Sequence, residues 1–173
     1  FPALLIWLPL FGGLFSFFLK DAKQAKTNAI IFASSSLLVV LVSVCLSGKE
    51  HFVLNQVSYQ WLTSIGSNFG LILDGLTRTM SLLTAIVFFL VFLIVPSEQY
   101  KDANKFFGLM LLTQCGLYGV FMATDALVFY LFWELALIPV YFLASIWGGE
   151  KRIRATFKFF IYTFLGSLFM LIG

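Results

Sequence analysis

Charge is scarce in this chain: of 173 residues only 11% are Asp, Glu, Lys or Arg, and one is a histidine. A water-soluble domain of this length carries about 25% charged residues, so the composition excludes an ordinary soluble fold. Cysteine is nearly absent too. Cys45 and Cys115 sit far apart inside apolar runs with no neighbouring Cys or His. That spacing gives no thiolate metal site or disulfide framework, and both read as small buried hydrophobes. There is no phosphate-binding glycine loop and no bis-histidine haem pair, so any redox chemistry is expected in another chain. The formal net charge of +3 is spread over loops and leaves no basic face for nucleic acid. His51, in a polar loop, reads as a solvated residue.

What is abundant is apolar: 61% of residues are hydrophobic, 22 are phenylalanine, and the mean hydropathy is +0.99. Six apolar segments stand out at about 2–19, 27–46, 75–95, 105–123, 125–147 and 154–173. Each is close to the twenty or so residues that cross about 30 Å of hydrocarbon. A lipid-exposed backbone must satisfy its own hydrogen bonds, so helices are expected. The fold class is therefore an all-α polytopic membrane protein with about six transmembrane helices, and residues 1–173 form one membrane domain. The first segment has no small-residue cleavage site and reads as an anchor, not a signal peptide. Without an initial methionine and ending inside an apolar run, the chain reads as a piece of a longer protein.

Loop charges predict the orientation. Taking alternate connections as one side, Lys20, Lys23, Lys26, Lys101, Lys105, Lys151, Arg152, Arg154 and Lys158 fall together, with Lys49 and Arg78 opposite. This asymmetry places loops 20–26, 96–104 and 148–153 inside and the N-terminus outside. The long outer connection 47–74 holds Val57, Tyr59 and Trp61 alternating with Ser58 and Gln60, a strand pattern with one apolar face. A second short strand at 69–73 follows Gly66-Ser67-Asn68. The pair predicts a short extracytoplasmic β-hairpin on the membrane surface, structural or partner-contacting in role.

Glu134 is the residue that points to chemistry. It lies near the middle of the apolar run 126–147, about 12–15 Å below either surface if that run spans a bilayer. An ionisable group there costs at least about 2.5–3.5 kcal/mol, and its default reading is ion or proton handling. The competing reading is a protonated carboxyl that hydrogen-bonds between helices as packing glue. Pro139 cannot donate to the Leu135 carbonyl, which frees an acceptor close to the carboxylate. On the sixth segment Lys158 sits among Phe157, Phe159 and Phe160, either snorkelling to the inner surface or taking part in transport. Along antiparallel neighbours, Glu134 lies about 21 Å and Lys158 about 10 Å from the inner end, too far apart for direct contact. Asp74 and Asp125 read as helix caps. Gly116, Gly119 and Ala123 read as small residues for close helix packing.

The stretch F-W-E-L-A-L-I-P-V-Y-F-L-A-S-I-W-G-G-E-K-R-I-R-A-T-F-K-F-F-I-Y-T-F-L-G-S-L-F-M-L, with L-I-L-D-G-L-T at 71–77 and L-P-L-F-G-G in the first segment, closely resembles the subunit M or chain 4 family of NADH-quinone oxidoreductase (respiratory complex I). The combination W-G-G-x-x-R-I with K-F-F-x-Y-T resembles this family more than its L and N paralogues. The resemblance implies an antiporter-like membrane subunit of about fourteen helices built from two inverted five-helix repeats. It implies proton translocation through the fifth-helix glutamate, which maps onto Glu134, and less securely the sixth-helix lysine, which maps onto Lys158. It implies no cofactor in this chain, with NADH, FMN, iron–sulfur clusters and quinone in partner subunits. It further implies L-, N- and K-like membrane partners and protons as the transported species; a bacterial inner membrane is expected over an organelle. A subunit of a multi-subunit sodium/proton antiporter and a purely structural membrane subunit are the alternatives.

Overall fold

The computed structural model describes residues 1–46, 56–62, 66–97 and 100–172. His51 and Lys49 lie outside the described residues. Six helices and one hairpin follow in the order α1 (Pro2–Phe18), α2 (Ala22–Cys45), β1 (Gln56–Leu62), β2 (Ser67–Ile72), α3 (Gly75–Ile94), α4 (Ala103–Met122), α5 (Ala126–Trp147) and α6 (Arg152–Ile172). Five of them, α2 to α6, are long and apolar enough to cross a membrane. The 17-residue α1 falls at the lower limit of a span.

Several boundaries differ from the sequence reading, α4 beginning at Ala103 instead of 105. Helix α2 begins at Ala22 instead of 27, and α6 at Arg152 instead of 154. Hydropathy marks only the part of a helix that suits hydrocarbon, whereas a polar first turn such as Ala22–Lys26 keeps its helical bonds in water. Lys26 then reaches across to the end of α3, its Nζ donating to the Leu93 carbonyl at 3.1 Å. That places a cation on the negative end of a helix dipole.

The N-terminal aspartates cap as expected. The Thr77 amide donates to Asp74 Oδ1 at 2.8 Å and the Leu127 amide to Asp125 Oδ1 at 2.8 Å. Helix α4 is the central element, packed against α1, α2, α3 and α5. Its small residues allow this. A β-carbon on Gly108 would lie 3.1 Å from the Gly13 carbonyl of α1. Gly116 and Gly119 meet Ala136 and Phe132 of α5. Without a hydrophobic drive between helices in lipid, such close approach supplies the packing that holds the bundle. One core cluster joins Leu5, Val40, Leu71, Tyr118 and Phe132 towards the hairpin. Another joins Ala29, Phe88, Phe92, Phe107 and Leu111 towards the opposite, lysine-rich end.

The hairpin is antiparallel, pairing Val57 with Leu71 and Tyr59 with Phe69. Its second strand runs Ser67–Ile72, beginning two residues before the sequence reading placed it. Strand β2 is the inner one. The Thr124 amide donates to the Gly70 carbonyl at 3.1 Å, and Ser67 Oγ donates to Asp125 Oδ1 at 2.9 Å. The hairpin is thus fastened to the turn that starts α5.

Candidate functional site

Helix α5 starts at the Asp125 cap and carries Glu134 near its midpoint, half-buried where α5 meets α6. Ser167 approaches it from α6, its Oγ 2.7 Å from Glu134 Oε1. The same hydroxyl lies 2.8 Å from the Phe164 carbonyl of its own helix. Thr156 and Ser167 are the buried residues of α6. The Ser167 side chain is therefore held on the α5 side by packing as well as by hydrogen bonding.

Beside this pair lies a cleft of about 270 Å³ lined by Phe129, Trp133, Tyr162, Thr163, Ser167 and Met170 among others. Its wall brings two further hydroxyls, those of Tyr162 and Thr163, to the same side of α6 as Ser167. Helix α5 runs unbroken through Pro139. Proline has no N–H, so the Leu135 carbonyl, one residue past Glu134, lacks its intrahelical donor. A carboxyl group, a hydroxyl and a liberated carbonyl are thereby gathered over one turn of helix. This arrangement can accept or release a proton with hydrogen-bonding partners nearby.

Lys158 is not part of this cluster. It is exposed on α6, and the rise from Ser167 back to Lys158 is about 13 Å. No ion pair joins Glu134 to Lys158 among the described residues. The two sequence-derived candidates are thus separate, and Glu134 has a serine as its partner. Ser167 was not singled out from sequence. The signal available was a small hydroxyl residue one position after Gly166 in a Phe-rich helix that also carries Thr156 and Thr163, which is too common to stand out.

A second polar cluster lies between α2 and α4. Gln114 Nε2 donates to the Tyr118 hydroxyl at 2.9 Å and to Ser36 Oγ at 3.4 Å, all three residues fully buried. Gln114 Oε1 is buried without a protein partner. This pair was not singled out from sequence, although the i, i+4 spacing of Gln114 and Tyr118 puts them on one helix face. Of the cysteines, Cys115 is buried as expected, but Cys45 is exposed in the last turn of α2, where no neighbouring helix covers it. No cluster of three or more His, Cys, Asp or Glu able to hold a metal occurs among the described residues.

Residues 123–173, which comprise α5 and α6, match the family described as NADH:quinone oxidoreductase/Mrp antiporter, membrane region. The chain is 37% identical over 173 residues to the F(420)H(2) dehydrogenase subunit M of Methanosarcina mazei, covering 99% of this chain and 35% of that protein. It is likewise 37% identical over 173 residues to the chloroplastic NAD(P)H-quinone oxidoreductase chain 4 of Mesostigma viride, covering 98% of this chain and 34% of that protein. The chain therefore spans about a third of the length of these curated relatives. In fold it matches a chain of the membrane-bound sulfane sulfur reductase, an archaeal respiratory membrane complex, with a TM-score of 0.78 at 23% identity, over 99% of this chain and 36% of that one.

Proposed function

Because the chain belongs to the NADH:quinone oxidoreductase/Mrp antiporter membrane family, as an integral multi-pass membrane protein, we propose that it translocates protons within the membrane arm of a quinone-linked oxidoreductase complex. The observation that carries this reading is Glu134, a half-buried carboxyl group in the middle of a membrane-spanning helix with a hydroxyl at 2.7 Å. An intramembrane carboxyl group costs too much to be retained as filler. The two relatives are named for different electron donors, F420H2 and NAD(P)H. What this chain shares with both is sequence over about a third of their length, which supports a role that does not depend on the donor.

In this reading Glu134 alternates between acid and carboxylate. Approach and withdrawal of a basic group would load and unload the site. Lys158, about 13 Å along α6 from Ser167, acts at most as a long-range influence. NADH, FMN, iron–sulfur clusters and quinone would be held by partner subunits, and L-, N- and K-like chains would flank this one. The lysine-rich connections support an orientation with the N-terminus outside and the α1–α2, α3–α4 and α5–α6 loops inside, and a bacterial cell membrane is the setting proposed with it.

The test is Glu134→Gln in inverted membrane vesicles, with donor oxidation and proton uptake recorded together and assembly checked on a native gel. Loss of both activities in an assembled complex is the expected result. Normal pumping and turnover in an assembled Gln variant, together with failed assembly of Glu134→Leu, would make the residue packing glue. A sodium/proton antiporter subunit would instead copurify without iron–sulfur or quinone-binding subunits.

A further inference from the structure

We propose that Ser167 is a positioning residue for the protonation switch at Glu134, its hydroxyl donating to the carboxylate and accepting from the acid. The proposal rests on the reading of Glu134 given above. Ser167 Oγ stands between two acceptors, 2.7 Å from Glu134 Oε1 and 2.8 Å from the Phe164 carbonyl, and it carries one hydrogen. When Glu134 is ionised, that hydrogen points to the carboxylate. When Glu134 is protonated, the acid donates to Ser167 Oγ, and the serine hydrogen turns to the Phe164 carbonyl. Both states keep a hydrogen bond at Glu134 without any heavy atom moving.

Protons balance in this scheme. Glu134 gains or loses one proton in exchange with the transport path, and Ser167 ends with the hydrogen it began with. A serine that merely bonds back to the carbonyl of its own preceding turn is common in membrane helices. Such a serine has no need to face a carboxyl group, and Ser167 is buried against one. Its burial is the more telling because most of α6 is exposed. The titratable side chains on the helices packed against α5 are Lys105, Cys115 and Tyr118 of α4 and Arg152, Arg154, Lys158 and Tyr162 of α6, and none of them bonds to Glu134 among the described residues. The serine is its one direct polar side-chain partner there.

Infrared difference spectroscopy of the intact complex in membranes, with proton uptake measured in parallel, tests this. The carboxyl stretching band erased by Glu134→Gln belongs to Glu134. Ser167→Ala should move that band to higher frequency, as expected for an acid that has lost its acceptor. It should also lower coupled proton uptake by about tenfold, the equivalent of one hydrogen bond to a charged group. Ser167→Thr, which keeps the hydroxyl, should restore both. If the Ala complex does not assemble, Ser167→Cys with its weaker donor should shift the band partway. A band unmoved in the Ala or Cys variant, while Glu134→Gln still abolishes uptake, overturns the role of Ser167 and leaves that of Glu134 standing. Normal uptake in Glu134→Gln removes both.

Discussion

Gly116 on α4 and Ala136 on α5 meet backbone to backbone: a β-carbon at position 116 would lie 2.7 Å from the nitrogen, Cα and Cβ of Ala136. Two of the obstructing atoms are main chain and the third is a β-carbon fixed to it, so no rotamer change relieves the clash. Gly116→Leu should therefore push the two helices apart and cost about 1–3 kcal/mol or more. Because Ala136 follows Glu134 by two residues, coupled transport should fall with stability. Gly75→Ala, where nothing lies within 4 Å of the added carbon, is the control and should be neutral. Thermal unfolding of the purified complex reads the difference.

The Asp74 cap gives a pH signature. The Thr77 amide, and then its hydroxyl, hold the exposed Asp74 carboxyl below its ordinary range. A lowered folded-state value means the cap stabilises α3 above the ordinary aspartate range, and that stability is lost as pH falls through the lowered value. Asp74→Ala should cost about 0.5–1 kcal/mol at neutral pH, the lower part of the range for caps because the site is exposed. The gap between wild type and variant should close in acid. A gap that persists unchanged to pH 2 would show that the carboxylate is not what stabilises the turn.

Gln114 predicts an asymmetry between two substitutions. Gln114→Leu removes bonds to Tyr118 and Ser36 but also removes a buried acceptor without a protein partner. Interhelical hydrogen bonds in membranes average about 0.6 kcal/mol, so the net change should stay below about 1 kcal/mol. Gln114→Lys places a charge in the same buried position and should cost at least about 2.5 kcal/mol. Assembly yields of the two variants in the same membranes provide the comparison.

Lys158 should behave as a remote charge. Across about 13 Å at an effective dielectric of about 20, a unit charge contributes about 1 kcal/mol. Lys158→Gln should thus reduce coupled proton uptake by less than about tenfold, against near-complete loss in Glu134→Gln. Equal losses in the two variants, with assembly intact, would require a direct contact that the separation along α6 does not provide.

The parts of this molecule legible in its sequence are those where a residue contradicts its surroundings. Glu134 stands out as a charge in an apolar run, Asp74 and Asp125 as acids just before one, and Val57, Tyr59 and Trp61 as an alternation between helices. The parts that escaped are those where a residue resembles its surroundings. Ser167 is one hydroxyl among several in α6, and its meaning depends on a helix partner that no local pattern reveals. The start of α2 escaped for the opposite reason, because its lysines look like loop. Helix propensity and hydropathy diverge there, and only hydropathy follows the membrane.

Asp125 serves two masters: it accepts from the first turn of α5 and from Ser67 in the hairpin. Hairpin turns are ordinarily where a protein family tolerates change most freely. Position 67 does not have that freedom, because a substitution there alters the start of the helix that carries Glu134. Drift at this position should favour residues that still offer a donor to Asp125, giving the buried start of a hairpin strand the substitution tolerance of a helix terminus.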